Sequence, residues 1–340
     1  MSSWSVTFML IMVFVASALA SQRLCARLLP WLRAREVLDH PNERSLHAAP
    51  IPRGGGLAIV AVVLAAHAML ALGAGAAGRD ELVVLVCGGG CALLGWADDR
   101  RSRGTAVRLL VQFALAGLCV AGLAAGPAGS GLGLLAGALL TVALVWHVNL
   151  FNFMDGADGL AGAQTIMSAL GAAAVIALTG PHALLPWPLA LAGAALGFLR
   201  WNWAPARLFL GDSGSYFIGF ELAALVIVGG LHGTPPAPLL ILLAPFVVDA
   251  SLTLLARMRA GEPWWRAHRS HLYQRLVLGG WTARRLAVRL VVLNALLCWP
   301  LAWLALDARY VTGALLSAYA LLGMMWAWLR RRTAAAAGPV

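Results

Sequence analysis

The chain reads as long apolar runs interrupted by short polar segments. Eleven runs can be traced, at residues 3–21, 54–77, 82–97, 107–126, 129–148, 162–180, 184–200, 214–232, 237–256, 286–306 and 309–329. Most hold roughly 17–24 residues, the length an α-helix needs to cross a hydrocarbon core of about 30 Å. The runs are continuous and do not alternate between apolar and polar positions, which argues against a β-barrel. The pattern predicts an all-α polytopic membrane helix bundle of about 11 transmembrane helices, forming one integral-membrane domain over residues 1–340. Ala18-Leu-Ala20 resembles a signal-peptidase site, but no basic segment precedes it and arginines follow, so the first run is expected to be a retained helix.

Composition agrees with this pattern. The chain is 61% hydrophobic and 11% charged, whereas a soluble domain carries about 25% charged residues. The net charge of +11 comes entirely from arginine, because lysine is absent. These arginines lie between the apolar runs, so they read as orientation signals and not as a nucleic-acid surface. Under the eleven-run count, 23 of the 25 arginines fall on one side, and only Arg79 and Arg309 lie on the other or at its margin. The arginine-rich side is expected to be cytoplasmic, with the N-terminus outside and the C-terminus inside. It receives the loops 22–53, 98–106, 149–161, 201–213 and 257–285, which carry nearly all the polar chemistry. Five cysteines lie scattered through the chain; Cys87 and Cys91, four residues apart, read as small packing residues in a span.

The densest polar stretch is Asn149-Leu-Phe-Asn152-Phe-Met-Asp155-Gly-Ala-Asp158, at the edge of two apolar runs. Exposing carboxylates to hydrocarbon costs several kcal/mol, so such a cluster is expected to face a water-filled cleft. The first loop carries Asn42-Glu-Arg44 and then Pro52-Arg53-Gly54-Gly-Gly56. It suits either an anion held by arginines and backbone N–H groups or simple orientation in the membrane. Asp98-Asp99 ends a span and is followed by four arginines, including Arg108. The pair calls for a balancing cation such as Mg²⁺ or for neutralisation by those arginines. Asp212, next to Phe209-Leu-Gly211, is either a helix cap or one more acid on the same face. In His268-Arg269-Ser270-His271 the histidine spacing admits zinc, but the intervening arginine favours contact with an anion. Glu221 and Asp249 fall inside spans, where acids default to a functional reading, and neither receives a role from the sequence. Acids, amides, arginines and histidines on one membrane face describe a metal–phosphate site with a lipid substrate.

With these residues in view, the chain resembles the polyprenyl-phosphate N-acetylhexosamine-1-phosphate transferases, from Pro41 to Gln274 and with five motifs in the family's order. Within that superfamily, Pro52-Arg-Gly-Gly-Gly56 and His268-Arg-Ser-His271-Leu-Tyr-Gln274 look most like the branch that initiates O-antigen. The resemblance implies a bacterial inner-membrane enzyme that moves a sugar 1-phosphate from a UDP-N-acetylhexosamine to undecaprenyl phosphate. UMP is released on the cytoplasmic face, with Mg²⁺ (or Mn²⁺) as cofactor; a homodimer stays open as a partner state. It further implies catalytic roles for Asp98, Asp99, Asp212, His268 and His271. Asp98 would be a base or activator for the lipid phosphate, or only orient it; Asp212 and Asn152 would be metal ligands. Asp158 and Phe209 would hold uracil, Asn149 and Asp155 would line the nucleotide pocket, and Arg44, Arg108 and Arg269 would contact substrate.

The split histidine pair and the absence of lysine depart from the peptidoglycan branch of the superfamily, and so weigh against a muramyl-pentapeptide donor. A transporter is the rival from another class. It would place its polar residues near the membrane midplane within repeated halves, whereas here they gather at span ends and no internal repeat is visible.

Overall fold

The computed structural model describes residues 3–41, 49–73, 77–101, 103–263 and 268–336. In chain order the helices are α1 Ser3–Ala34, α2 Gly56–Gly73, α3 Ala77–Arg100, α4 Thr105–Ala124, α5 Leu134–Phe153, α6 Leu160–Thr179 and α7 Pro186–Asn202. There follow α8 Gly211–Leu231, α9 Pro236–Arg259, α10 Leu272–Leu278, α11 Ala283–Leu293, α12 Trp299–Leu304 and α13 Val311–Ala336. A π-turn at Asn294–Cys298 joins α11 to α12, so that Ala283–Leu304 forms one continuous segment. The strands are β1 Leu38–Asp39 and β2 Ile51–Pro52, an antiparallel pair in which Leu38 faces Pro52 and Asp39 faces Ile51.

Among the described residues, ten helical segments are long and apolar enough to cross a membrane. The eleventh predicted span, α2, is a shorter apolar helix over Gly56–Leu72. The protein is thus a multi-pass membrane protein of all-α architecture. Two predicted boundaries differ. The apolar pattern ends the first run at Ser21, just before the arginines begin, but α1 continues through Arg23, Arg27 and Pro30 to Ala34. Long arginine stems run along an apolar surface while their heads reach water, so isolated arginines need not stop a helix. The pattern also places the segment after residue 148 in a loop, yet α5 runs on to Phe153 and carries Asn149 and Asn152 in its last turns.

Small residues set the packing. Gly193 and Gly197, four apart on α7, lie against the backbone carbonyls of Phe14 and Ala18 on α1, where a side chain would collide. Such small-residue stripes let helices approach closely where lipid supplies no hydrophobic drive. Gly88 and Gly95 of α3 do the same against α8, Gly95 abutting the Asp212 backbone. The most buried helices are α6 and α8, and Phe217, Ile218, Phe220 and Ala224 of α8 are fully enclosed. Peripheral helices show large exposed apolar side chains, Phe8, Leu72, Leu134 and Met324 among them, as lipid-facing surfaces require. The bundle brings the C-terminal ends of α3 and α5 and the N-terminal end of α8 to one place, where the site lies.

Candidate active site at the ends of helices 3, 5 and 8

Gly211 adopts φ 78°, a conformation that glycine reaches without strain, and turns the chain into α8. A side chain there would strike the Asp99 carboxylate. The turn presents two N–H groups of the first turn of α8 to Asp99: Asp212 N donates to Oδ1 (2.9 Å) and Ser213 N to Oδ2 (3.0 Å). The cap of α8 is therefore a carboxylate from another helix, and the side chain of Asp212 is left free of capping duty. Arg53 closes over the same point. Its Nη2 donates to the Asp99 carbonyl (2.5 Å) and its Nε lies 3.9 Å from Oδ1.

Asp98, the other member of the pair, faces α4. Oδ2 accepts from Arg108 Nη1 (2.9 Å) and Tyr216 Oη (3.4 Å), and Oδ1 accepts from the Arg103 N–H (2.5 Å). The arginines after the pair do neutralise one acid, as the plainer reading required, but through Arg108 on the next helix. Asp212 Oδ1 accepts from Asn152 Nδ2 (2.8 Å), which also donates to Ser215 Oγ (2.8 Å). Asn149, one turn earlier on α5, donates to Gln112 Oε1 (2.6 Å) on α4.

Asp155 follows α5. Its side chain keeps some exposure, yet enough protein surrounds the carboxyl that burial drives its pKa well above the usual carboxylate range. Like charges on Asp212, Asp99, Asp158 and Asp39 push in the same direction. Asp158 accepts the Ala206 N–H on Oδ2 (2.9 Å), and Asn202 Oδ1 accepts from Gly159 N (3.0 Å), so the loop after α5 is pinned to the loop after α7. Phe209, half-buried, pairs in strand fashion with the first loop: its N–H donates to Pro52 O (2.8 Å) and its carbonyl accepts from Gly55 N (2.8 Å).

The histidine loop arrives from the other side. The His271 ring lies 6.0 Å from that of Phe153, the last residue of α5, and 4.8 Å from that of His268. Tyr273 Oη donates to the Phe153 carbonyl (3.0 Å). Burial lowers both histidine pKa values to about 4, helped by mutual repulsion at His268 and by Arg257 at both, so the rings are neutral near pH 7. His271 Nδ1 is buried without a partner. Asp249, unassigned from sequence, accepts the Leu272 (2.8 Å) and Tyr273 (3.2 Å) N–H groups and so caps α10 from within α9. Glu221 lies half a helix away, bound by Trp187 Nε1 (2.7 Å) and beside His67 (2.9 Å), which also meets Glu81; this cluster ties α2, α3, α7 and α8 together apart from the site.

The structure therefore gathers Asp98, Asp99, Arg108, Asn149, Asn152, Asp155 and Asp212, with Asp158 and Phe209 on the adjoining loops and the histidines against Phe153. Arg44 lies outside the described residues. Arg269 is exposed on the bend between the histidines. Arg53, Gln112, Tyr216 and Tyr273 belong to the constellation; of these the sequence marks only Arg53, as an anion candidate in the first loop. Arg53 alone carries a signal, through the glycines behind it; the others are defined by partners 37 to 120 residues away.

The family comparisons fit this geometry. The model of glycosyl transferase family 4 matches residues 81–230, which hold every acid of the cluster. A Bacillus subtilis protein named probable undecaprenyl-phosphate N-acetylglucosaminyl 1-phosphate transferase is 30% identical over 271 residues, covering 76% of this chain and 74% of its own. A Mycolicibacterium smegmatis decaprenyl-phosphate N-acetylglucosaminephosphotransferase is 34% identical over 305 residues, covering 77% and 75%. The chain belongs to glycosyl transferase family 4. A further relative, the Escherichia coli undecaprenyl-phosphate alpha-N-acetylglucosaminyl 1-phosphate transferase, is 26% identical over 283 residues, covering 77% and 74%. The transporter reading is set aside by this membership.

The donor set also bears on a metal. No three histidine, cysteine, aspartate or glutamate side chains converge at ligand spacing among the described residues. Asp98 and Asp99 have arginine partners, whereas among the described residues no arginine or histidine pairs with Asp155 or Asp212. Uncompensated carboxylates with an amide beside them fit a hard cation that keeps several waters and takes its remaining oxygens from phosphate.

Proposed function

We propose that the protein transfers an N-acetylhexosamine 1-phosphate from a UDP-sugar to undecaprenyl phosphate at the cytoplasmic face of the bacterial inner membrane. UMP is released, and the lipid diphosphate-sugar product initiates O-antigen or another cell-envelope polysaccharide. The observation that carries this reading is that Asp155 and Asp212 have no cationic partner among the described residues, with Asn152 bonded to Asp212 and Arg108 held by Asp98, inside a family whose named members use polyprenyl phosphates. Those names favour N-acetylglucosamine as the sugar. The arginine asymmetry supports a cytoplasmic site.

The reaction forms a bond between an oxygen of the lipid phosphate and the sugar-side phosphorus, and breaks the bond from that phosphorus to the bridging oxygen of UMP. A lipid phosphate is already partly ionised near neutral pH and needs little help from a base. Both Asp98 oxygens are taken up by Arg108, Tyr216 and the Arg103 N–H, which supports an orienting role: Asp98 holds Arg108 where an incoming phosphate would meet it. Asp212 and Asn152 would hold Mg²⁺ (or Mn²⁺), which supplies charge neutralisation of the diphosphate when bound. Asp158 and Phe209, on the two loops joined by the Asp158–Ala206 bond, would hold the uracil ring, and Asn149 and Asp155 would complete the nucleotide pocket. Neutral His268 and His271, with the exposed Arg269, would donate to diphosphate or sugar oxygens. Catalysis here is mainly positioning and charge placement.

The test is incubation of purified enzyme with undecaprenyl phosphate and a panel of UDP-sugars, reading UMP release and the lipid product. UDP-N-acetylglucosamine is expected to support turnover; no UMP from any UDP-sugar would overturn the proposal.

A further inference from the structure

A second, apolar groove opens between α6, α9, α10, α11 and α13, with a cavity volume of about 440 Å³. It contains none of the five acids of the cluster and adjoins the site at Met154, Leu160 and Tyr273; the one carboxylate in its lining, Asp249, already accepts the Leu272 and Tyr273 N–H groups. Its walls are mainly leucines, with Pro245, Phe246 and Met325 among them, and from Arg289 to Leu297 it follows the helix axis for about 12 Å. Three tryptophans line it, and each carries a guanidinium on its ring. Arg285 and Arg289 lie 4.7 and 4.2 Å from the Trp281 ring centre, Arg330 lies 4.9 Å from Trp326, and Arg332 lies 4.1 Å from Trp328.

Arg–Trp pairs four residues apart on a helix surface are ordinary by themselves. What is not ordinary is that all three rings and Arg289 line one groove, so that the other three guanidiniums sit on side chains of its wall. Among the described residues none of the four pairs with a carboxylate, and Arg330 Nη1 is buried without a partner. The rim lies at the same end of the bundle as the active site, since Arg275 of α10 donates to Thr333 (3.1 Å) near the end of α13.

We propose that this groove holds one anionic glycerophospholipid of the surrounding bilayer, its acyl chain along the leucine wall and its phosphate among Arg285, Arg289, Arg330 and Arg332. Charge selects the head and the apolar wall selects the tail, the combination that basic pockets between membrane helices use for anionic lipids. The head-group position assigned here is on α11 and α13, whereas Asp98 and Arg108 belong to α3 and α4. The bound lipid packs against Leu272 and Leu276 and so braces the helix that carries the histidine loop.

The test is native mass spectrometry of the full-length protein in a neutral detergent, mixed with dioleoylphosphatidylglycerol or dioleoylphosphatidylcholine. Wild type is expected to retain one phosphatidylglycerol at ~tenfold preference over phosphatidylcholine. The combined Arg285→Gln, Arg289→Gln, Arg330→Gln, Arg332→Gln variant should lose that preference. Leu293→Trp, which fills the groove and leaves the arginines intact, should lose binding altogether and serves alone if the fourfold variant fails to fold. Equal retention of the two lipids, wild-type binding by Leu293→Trp, displacement by inorganic phosphate alone, or an isoprenoid phosphate found in the groove instead would each overturn the proposal. Because the readout is lipid retention, its failure leaves the transfer reaction untouched.

Discussion

Asp99 holds Asp212 by its backbone: the carboxylate of one helix end takes two N–H groups of the next helix start, at 2.9 and 3.0 Å. The adjacent acids Asp98 and Asp99 therefore do different things. One presents an arginine, while the other fixes the helix from which Asp212 projects. Asp99→Ala is expected to leave two buried donors unpaired. That costs on the order of 1–3 kcal/mol per group and loosens the first turn of α8. Thermal unfolding in detergent should show a clear loss of stability together with the loss of transfer. Asp99→Asn, which can still accept one bond, should lose less stability; equal stability of Asp99→Ala and wild type would rule out the capping role.

Asp212 has the opposite profile. Its side chain takes one hydrogen bond from Asn152 and has no cationic partner among the described residues. Asp212→Asn is therefore expected to fold with wild-type thermal stability and to lose transfer by a factor of about 10³ or more, the scale on which removal of a group that places charge acts. Wild-type turnover should fall to background in excess EDTA and return with Mg²⁺ or Mn²⁺. Full activity in EDTA would refute the proposed metal role.

These contrasts show what the sequence disclosed and what it hid. The spans are legible because hydrocarbon demands long apolar runs, and the gathering of Asp98, Asn152 and Asp212 is legible because their polarity has nowhere else to go. The division of labour within Asp98-Asp99 is not. It depends on Arg108 and Tyr216 reaching one acid and the α8 backbone reaching the other, contacts that span 10 to 118 residues. Reading polarity as the end of a helix places Asn149 and Asn152 in a loop, whereas the helix runs on to Phe153 and is capped at Met154. Asp249 has an apolar setting and no neighbouring motif, so its bonds to Leu272 and Tyr273 could only come from the fold.

The histidine loop gives a pH dependence with a definite sign. His271 is buried, and its pKa falls from the ordinary 6.5 to about 4. Between those values the unfolded chain binds a proton that the folded protein does not, so stability is complete above about pH 6.5 and falls as pH drops toward 4. For this one group the loss is roughly 2–3 kcal/mol. Unfolding temperatures measured at pH 7.5 and pH 5 should differ accordingly, and His271→Gln should flatten the slope. An unchanged slope in that variant would mean another group is responsible.

Asp249 makes the last case, because its effect must travel through α10. It accepts the N–H groups of Leu272 and Tyr273 on two oxygens, and also bonds Thr253 Oγ1 and Trp326 Nε1. Tyr273 in turn grips the Phe153 carbonyl, and His271 stacks on the same residue. Removing the carboxylate should let α10 shift relative to α5 while the acids on α3 and α8 stay in place. Asp249→Ala is then expected to raise the apparent KM for the sugar donor, lower kcat, and leave cation dependence unchanged, because Asp212 is untouched. Asp249→Asn keeps one acceptor for the helix start and should recover part of the lost turnover. A merely destabilising effect would lower the amount of folded enzyme without moving KM, so the KM of the purified, folded fraction separates the two accounts.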